Sequence, residues 1–457
     1  MAASTTTDAA VFAVPVLDQW LVYAPLNEVA GLVNGAALRK LSGAQTLDGK
    51  LGDLAESLRS NGAAPRRRQG VARPIFLGLI PSRLCNLHCV YCNFGVGGEA
   101  PKDRMDPAMA VEAVDWIGRH AVETGDDTLA IHFFGGEPFV EWDIVEIVTH
   151  RARAVAASLG LKVHLEASSN GVYPEERARF IADHFQAIVL SFDGFPEVHD
   201  RHRPHADGKG SFPEVARTAK IFSDSQLELC LRICVTEQNV DDLPEIVRWF
   251  CTDFRPAYID FETIYETDLS TKAGLKPPDP LRFSRSYLQA REVANQFGVV
   301  ANYAADLQQR PRNSFCPVGQ DAVILTPDLR VSTCYLLEPD WQARGLDMNL
   351  GRLEPGRGLQ LNQEALDRAR NLPLPPKCHR CFARWSCAGG CKVNHSHPGC
   401  TDELDDFCQQ TRLIMATTLL EKMGQSALAA RMLDDEAAAM ALAKQPTDVL
   451  TTMEMRA

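Results

Sequence analysis

The chain has 457 residues, with 47 Lys and Arg against 59 Asp and Glu and a net charge of −12. That balance argues against a general nucleic-acid surface, which needs clustered positive charge, and no uninterrupted apolar run approaches a membrane span. Hydrophobic residues make up 45% and charged residues 23%, ordinary values for a globular chain of two or three domains.

The N-terminal stretch MAASTTTDAAVFAVPVLDQW lacks a basic region followed by an apolar core, so it does not read as a secretory signal and a cytoplasmic location is expected. Residues 1–64 read as a small N-terminal module. It holds two short β-type runs, LVYAPL and VAGLVN, split by Asn27, and then a helical run, AALRKL. Residues 65–70 carry Arg66, Arg67 and Arg68 between a Pro and a Gly, which predicts a solvated linker. Residues 71–304 alternate strand and helix. The strand candidates are PIFLGLI, LAIHFF, KVHLEAS, AIVLSF, LELCLRICV and YIDFETI. Helical runs such as EERARFIADHF and LPEIVRWFC lie between them, and Asp106 with Pro107 marks one helix start. Six strands alternating with helices predict a parallel sheet with right-handed crossovers, doubly wound or barrel-like. Residues 305–410 break into a loop-rich, Cys-rich region. Residues 411–457 read as a helical tail with Leu413, Ala416, Leu420 and Met423 on one core-facing side.

Cysteine usage departs from the ordinary. There are 14, unevenly spaced, and in a reducing compartment clustered cysteines point to metal or redox chemistry. Cys85, Cys89 and Cys92 form a C-x-x-x-C-x-x-C group just after the first strand of the βα pattern. In such folds the working face lies at the C-terminal ends of the strands. Three thiolates can hold three corners of one iron–sulfur cubane and leave the fourth iron without a protein ligand. Structural zinc normally takes four ligands, and His88 serves equally as that ligand or as a loop residue. Further on, Cys378, Cys381, Cys387, Cys391 and Cys408 follow the upstream pair Cys316 and Cys334. Their spacing alone suits a zinc module and an iron–sulfur site equally. Cys230, Cys234 and Cys251 read as small buried hydrophobes. Cys400 reads as a loop thiol, with an alternate ligand or a redox-active thiol as the other reading.

The first cysteine group, with Tyr91 before its last Cys, resembles the signature of the radical S-adenosylmethionine (SAM) enzymes. Gly135-Gly136-Glu137-Pro138 is similar to that family's motif after its second strand, and Ser168-Ser169-Asn170-Gly171 to its ribose-side segment. Ser191-Phe192-Asp193-Gly194 and His199-Asp200-Arg201-His202-Arg203 resemble motifs of its peptide-modifying members. Arg232 lies where the family places a carboxylate-binding Arg. The resemblance implies an α/β partial (β/α)6 TIM barrel with SAM contacts from Gly135, Gly136, Glu137, Ser169, Asn170, Ser191, Asp193, Arg203 and Arg232.

The second cysteine region resembles the SPASM extension of radical SAM enzymes, which carries auxiliary clusters. The resemblance implies three [4Fe–4S] clusters in all. Cys378, Cys381, Cys387 and Cys408 would ligate one auxiliary cluster, and Cys316, Cys334 and Cys391 another nearer the barrel mouth. Two departures stand out. The family usually has Gly where this chain has Leu329, and some members carry an extra Cys in the stretch that here runs Gln309 to Phe315 without one. An open iron, a non-Cys ligand or a substrate ligand is therefore expected at the near cluster.

In function the chain resembles maturases of ribosomally made peptides and anaerobic sulfatase-maturating enzymes. The resemblance implies reductive cleavage of SAM to a 5′-deoxyadenosyl radical, hydrogen abstraction from a precursor peptide, and a thioether or carbon–carbon cross-link. The N-terminal module would capture a leader peptide by strand addition to an exposed edge, and flavodoxin or ferredoxin would donate electrons. No nucleic-acid or membrane partner is expected. Tyr335 replaces the Asp that sulfatase-type maturases usually carry after the corresponding Cys, and Tyr335 and Asp321 are the expected proton or radical partners. The competing readings are a maturase of a folded enzyme subunit, of sulfatase or dehydrogenase type, and a non-catalytic zinc-binding scaffold.

Overall fold

A computed structural model describes residues 11–43, 47–59, 62–94, 104–305 and 311–450. Residues 1–10, Gln309, Arg310 and the end of the tail, 451–457, lie outside the described residues.

Strands β1 (Val11–Val16), β2 (Gln19–Ala24) and β3 (Val29–Asn34) form an antiparallel meander. Asn27, which splits the two apolar runs, has a structural task. Its amide donates to Leu58 O at 2.7 Å and its Oδ1 accepts from Gly62 N at 2.7 Å, tying down the end of helix Gly49–Arg59. Helix Gly35–Leu41 starts at Asn34, whose Oδ1 accepts from Ala37 N at 2.9 Å. The period of two puts alternate residues on opposite faces. Val11, Ala13, Val22 and Ala24 pack with Leu41, Ala55 and Leu58 of the helices, while Phe12, Val14, Val16, Leu21 and Tyr23 join the main core.

The six expected strands follow as β4 (Leu77–Leu79), β5 (Thr128–Phe133), β6 (Lys162–Ser169), β7 (Ala187–Ser191), β8 (Glu228–Val235) and β9 (Tyr258–Thr263). Each pairs in parallel with the next. PIFLGLI yields only the three residues of β4. The helix after it begins as its residues predict: Asp106 accepts from Ala108 N at 2.8 Å, Pro107 opens the first turn, and Gly125 ends it at φ +78°. A seventh parallel strand, β10 (Val300–Tyr303), lies beside β9. With four residues it offered too little alternation to be read.

The Cys-rich region is less loop-like than expected. It supplies β11 (Val323–Leu325), β12 (Arg330–Ser332), β13 (Asn349–Glu354) and β14 (Gly358–Leu361). β11 adds in parallel to the free side of β4, and the next three follow antiparallel. The result is one open eleven-stranded sheet with β10 and β14 at its edges. The turn before β12 places Leu329 at φ +65°, a left-handed position that glycine adopts without strain. That accounts for the Gly usual at this place, and here the side chain packs against the core in compensation.

Helix Asp406–Lys422 carries Leu413, Ala416 and Leu420 fully buried, as its pattern predicts, but Thr411, Arg412 and Thr417 are buried too. Arg412 donates to Leu442 O at 3.1 and 2.8 Å, Gln445 O at 2.6 Å and Thr447 Oγ1 at 3.0 Å within the tail, and to Cys381 Sγ at 3.6 Å outside it, which uses its five donors. The chain then returns as β15 (Asp448–Leu450), antiparallel to β1 with Val11 opposite Leu450. The N-terminal unit is therefore not self-contained: its sheet takes a strand from the tail, and one of its faces lies in the main core. Among the described residues no helix is long and apolar enough to cross a membrane.

Candidate active site

The segments leaving the C-terminal ends of the parallel strands border one cavity of about 450 Å³. Cys85, Cys89 and Cys92 line it, and so do Gly135, Gly136, Glu137, Ser169, Asn170, Ser191, Arg203 and Arg232. Most of the expected SAM contacts are thus brought to one space.

The Gly pair serves the protein as well as any ligand. A Cβ on Gly136 would stand 2.2 Å from Leu84 O, and one on Gly135, at φ +151°, would stand 2.5 Å from Ser82 O. The turn is pressed against the segment leading into Cys85, with Glu137 N donating to Leu84 O at 2.8 Å. Glu137 itself is 1% exposed. Its Oε2 accepts from Asn170 N at 2.7 Å, and its Oε1 accepts from Ser169 Oγ at 3.0 Å and Phe139 N at 3.2 Å. Burial raises its carboxyl to about 7 against those hydrogen bonds. Its first role is therefore to order the Ser169–Asn170 segment. Asn170 in turn donates to Asn86 Oδ1 at 2.8 Å, inside the cluster loop.

Asp193 departs from expectation. It is fully buried and does not border the cavity. Its Oδ1 accepts from Arg203 Nη2 at 3.1 Å and Cys234 N at 3.0 Å, and its Oδ2 from His202 Nδ1 at 3.2 Å and the Tyr91 hydroxyl. Burial alone would raise this carboxyl, but Arg203, ahead of His202, holds it well below the usual carboxylate range. Arg203 Nε lies 3.0 Å from Asp193 Oδ2, an ion-pair distance without hydrogen-bond alignment. Arg232 faces Asp260 at 3.4 Å. Burial works against its charge, and Glu262, ahead of Asp260, more than offsets that.

Cys316, Cys334, Cys391 and Tyr335 line the same cavity. The three thiols pack against one apolar group of Val318, Trp341, Leu346, Met348 and Val393. Tyr335 Oη lies 2.6 Å from His132 Nδ1, and His132 Nε2 lies 3.2 Å from Ser168 Oγ. Burial lowers His132 to about 4, so its ring is neutral near pH 7. Asp321, the other expected proton partner, is elsewhere. It is 1% exposed, is bonded to Arg370 through both oxygens at 2.7 Å, and is not among the residues lining the cavity.

Cys378, Cys381, Cys387 and Cys408 form a second set outside the cavity lining. Cys387 feels the charges of Cys378 and Cys381, and Cys408 those of Cys387 and Cys381. In the same way Cys334 feels Cys316 and Cys391, and Cys89 feels Cys92 and Cys85. Lys392 stands between the two outer groups: burial lowers its ammonium, while Cys378 and Cys316 hold it up. Cys400 lies near Lys377, which also feels Cys408. Cys234, read as a mere core residue, lines the cavity, as do Glu262, Tyr265 and Asn394. Sequence reasoning missed these, and it missed His132; Cys234, Glu262, Tyr265 and His132 sit on or near strand ends without a motif around them, and Asn394 sits in a turn after Cys391.

The thiols suit iron–sulfur clusters. All 14 cysteines are free. Burial pushes Cys85, Cys316, Cys334, Cys378 and Cys387 up to about 12, so only a bound cation would keep them ionised. Among the described residues no three His, Cys, Asp or Glu side chains are already drawn to metal-holding geometry; the fit rests on grouping, burial and shared exposure to the cavity.

A parallel core of strands with a three-thiol loop after its first strand and a Gly-Gly-Glu-Pro turn after its second is the arrangement expected of a radical SAM domain. Residues 79–250 match the family model described as Radical SAM superfamily, and the chain carries that domain, with SAM and a [4Fe–4S] cluster as the family's cofactors. A cysteine-type anaerobic sulfatase-maturating enzyme of Clostridium perfringens is 23% identical over 344 residues, covering 71% of this chain and 90% of the relative. The PqqA peptide cyclase of Bradyrhizobium diazoefficiens is 26% identical over 332 residues, covering 70% and 81%. The solved structure of native anSMEcpe with bound AdoMet shares the fold, with a TM-score of 0.60, 19% identity and coverage of 77% of this chain and 99% of that one. The radical SAM domain sets aside the zinc-scaffold reading.

Proposed function

We propose that the chain is a radical SAM maturase that modifies a ribosomally made peptide, forming a thioether or carbon–carbon cross-link, with two auxiliary [4Fe–4S] clusters at Cys316/Cys334/Cys391 and Cys378/Cys381/Cys387/Cys408. The observation that carries the reading is the single cavity lined by both the Cys85/Cys89/Cys92 group and the Cys316/Cys334/Cys391 group. SAM and the cluster, when bound, supply a 5′-deoxyadenosyl radical able to take hydrogen from an unactivated carbon. The protein's own residues do the rest. Arg203, Arg232, Ser169 and Asn170 present polar groups on the SAM side. Phe134, Phe315, Ile324 and Leu336 add apolar lining to the same cavity. The names of the relatives support peptide and protein substrates alike.

The test is anoxic reconstitution followed by incubation with SAM, a reductant and, as candidate precursors, the products of short open reading frames encoded beside this gene, with a sulfatase-derived peptide as the second arm. A precursor that loses two hydrogens supports the peptide reading. Turnover of the sulfatase peptide alone replaces it with the folded-enzyme reading. In the productive assay Tyr335→Phe keeps its ring contact with Phe134, at 4.3 Å between centres, and loses the bond to His132. Product formation is expected to fall roughly a hundredfold, the lower range for one proton-handling group, with SAM binding kept.

The N-terminal sheet supplies the docking edge in this reading. β15 covers the outer side of β1, and among the described residues β3, six residues against the three of β15, is the longer of the two edge strands, so β3 is taken as the edge for a leader strand. Adding the precursor is expected to slow hydrogen–deuterium exchange across residues 29–34. Unchanged exchange there with bound precursor would move the docking site elsewhere.

A further inference from the structure

The cluster loop is gripped by a segment more than a hundred residues further along. His88 N donates to Pro204 O at 2.8 Å and Val90 N to His202 O at 3.0 Å, and Leu87 makes an antiparallel bridge to His205. Side chains repeat the grip. The Tyr91 hydroxyl donates to Asp193 Oδ2, the Arg203 guanidinium carbon lies 5.4 Å from the Tyr91 ring centre, and His202 meets that ring edge-on at 5.7 Å. The gripping segment is itself held from behind. Ser211 Oγ donates to Arg203 O at 2.6 Å, and Asn239 Nδ2 donates to Asp193 O at 3.1 Å and to Cys234 O at 3.0 Å.

Asp193 has little left for a ligand. A carboxylate offers about four lone-pair directions, and this one, away from the cavity, already accepts from Tyr91, His202, Arg203 and the Cys234 amide. A loop bearing three thiols would otherwise have to be ordered each time cluster and nucleotide assemble, at an entropic cost. A segment fixed in advance removes that cost.

We propose that Asp193, His202 and Arg203 form a clamp that positions Tyr91, and through it Cys89 and Cys92, so that the loop is preset for cluster and SAM, and that Asp193 does not touch SAM. This assigns positioning residues within the radical SAM reading and rests on that reading for its purpose, while the test reads the loop directly.

Tyr91→Phe keeps the ring and removes only the hydroxyl; Asp193→Asn keeps the shape and removes the charge. In the full-length metal-free protein under anoxia, the iodoacetamide alkylation rates of Cys89 and Cys92 are followed by peptide mass spectrometry, with the thermal midpoint as control. In the reconstituted protein, the SAM concentration that half-saturates the change in the reduced cluster's electron paramagnetic resonance signal is measured. Tyr91→Phe is expected to raise both the alkylation rate and that concentration about tenfold, the scale of one buried charge-assisted hydrogen bond, with the midpoint within a few degrees of wild type. The double variant should be no faster to alkylate than Asp193→Asn alone, since both changes remove the same contact. Wild-type values for Tyr91→Phe in both measurements overturn the clamp. So does an Asp193→Asn variant that loses SAM response with unchanged thiol rates, which would make Asp193 a direct ligand. If Asp193→Asn fails to fold, Tyr91→Phe decides alone. A protein that takes up zinc in place of iron but keeps the alkylation pattern refutes the radical reading and supports the clamp.

Discussion

Cys89→Ala is expected to abolish 5′-deoxyadenosine formation while leaving the outer cysteine groups loaded. Cys89 is packed with Tyr91, Ile264 and Leu275 at the base of the cavity, and it feels both Cys85 and Cys92. Removing one of three thiolates leaves two corners, too few to hold a cubane whose fourth iron has no protein ligand. The other two groups are built from residues 316–408 and pack with other parts of the core, so they do not depend on Cys89. Anoxic iron analysis should show a loss of about one third if three clusters are present. Chromatography of SAM incubations should show 5′-deoxyadenosine at background. SAM cleavage at the wild-type rate in this variant would defeat the assignment of the site.

Asp321→Ala carries the largest expected effect on stability. Asp321 and Arg370 meet through two bonds of 2.7 Å, with both side chains 1% exposed. Asp321 Oδ2 also accepts from Arg73 N at 3.0 Å, and Arg370 Nη1 donates to Gly70 O at 2.8 Å. The pair therefore pins the segment before the barrel to the cysteine-rich region. The truncation leaves the buried guanidinium with only the half-exposed Asp367 carboxylate, 3.1 Å from Nη1, at a cost of about 3 kcal/mol, the lower end for a broken buried pair. Equilibrium urea unfolding of the reconstituted protein measures it. A double replacement of both residues by apolar ones of similar volume should recover part of the loss, since a buried pair contributes little net stability beyond its apolar substitute. An unchanged midpoint in Asp321→Ala would show that the pair is not a structural tie.

Much of the candidate site could be read in advance. The Gly-Gly-Glu-Pro turn and Asn170 sit within a few residues of a strand end, the Cys85, Cys89 and Cys92 group lies in the loop after β4, and all contribute to the lining of one cavity. The reading failed where a residue's neighbour in sequence is not its neighbour in space. Asp193 lies in a motif beside Ser191, which does face the cavity, yet its side chain turns back to Tyr91. Asp321 lies near Cys316, yet it serves Arg370. His132 lies inside a plain strand, and its partner Tyr335 is 203 positions away.

The chain order of strands and helices, the Asp106–Pro107 helix start and the Cys85–Cys89–Cys92 group were written in short stretches of residues, because capping, alternation and close ligand spacing act over a few turns of chain. The sharing of a sheet by β1 and β15, the joining of β11 to β4, the clamp on Tyr91 and the removal of Asp321 from the chemistry came from packing. Each of these depends on which distant surfaces bury one another, and burial of an ion or an edge strand leaves no local period in the sequence to announce it.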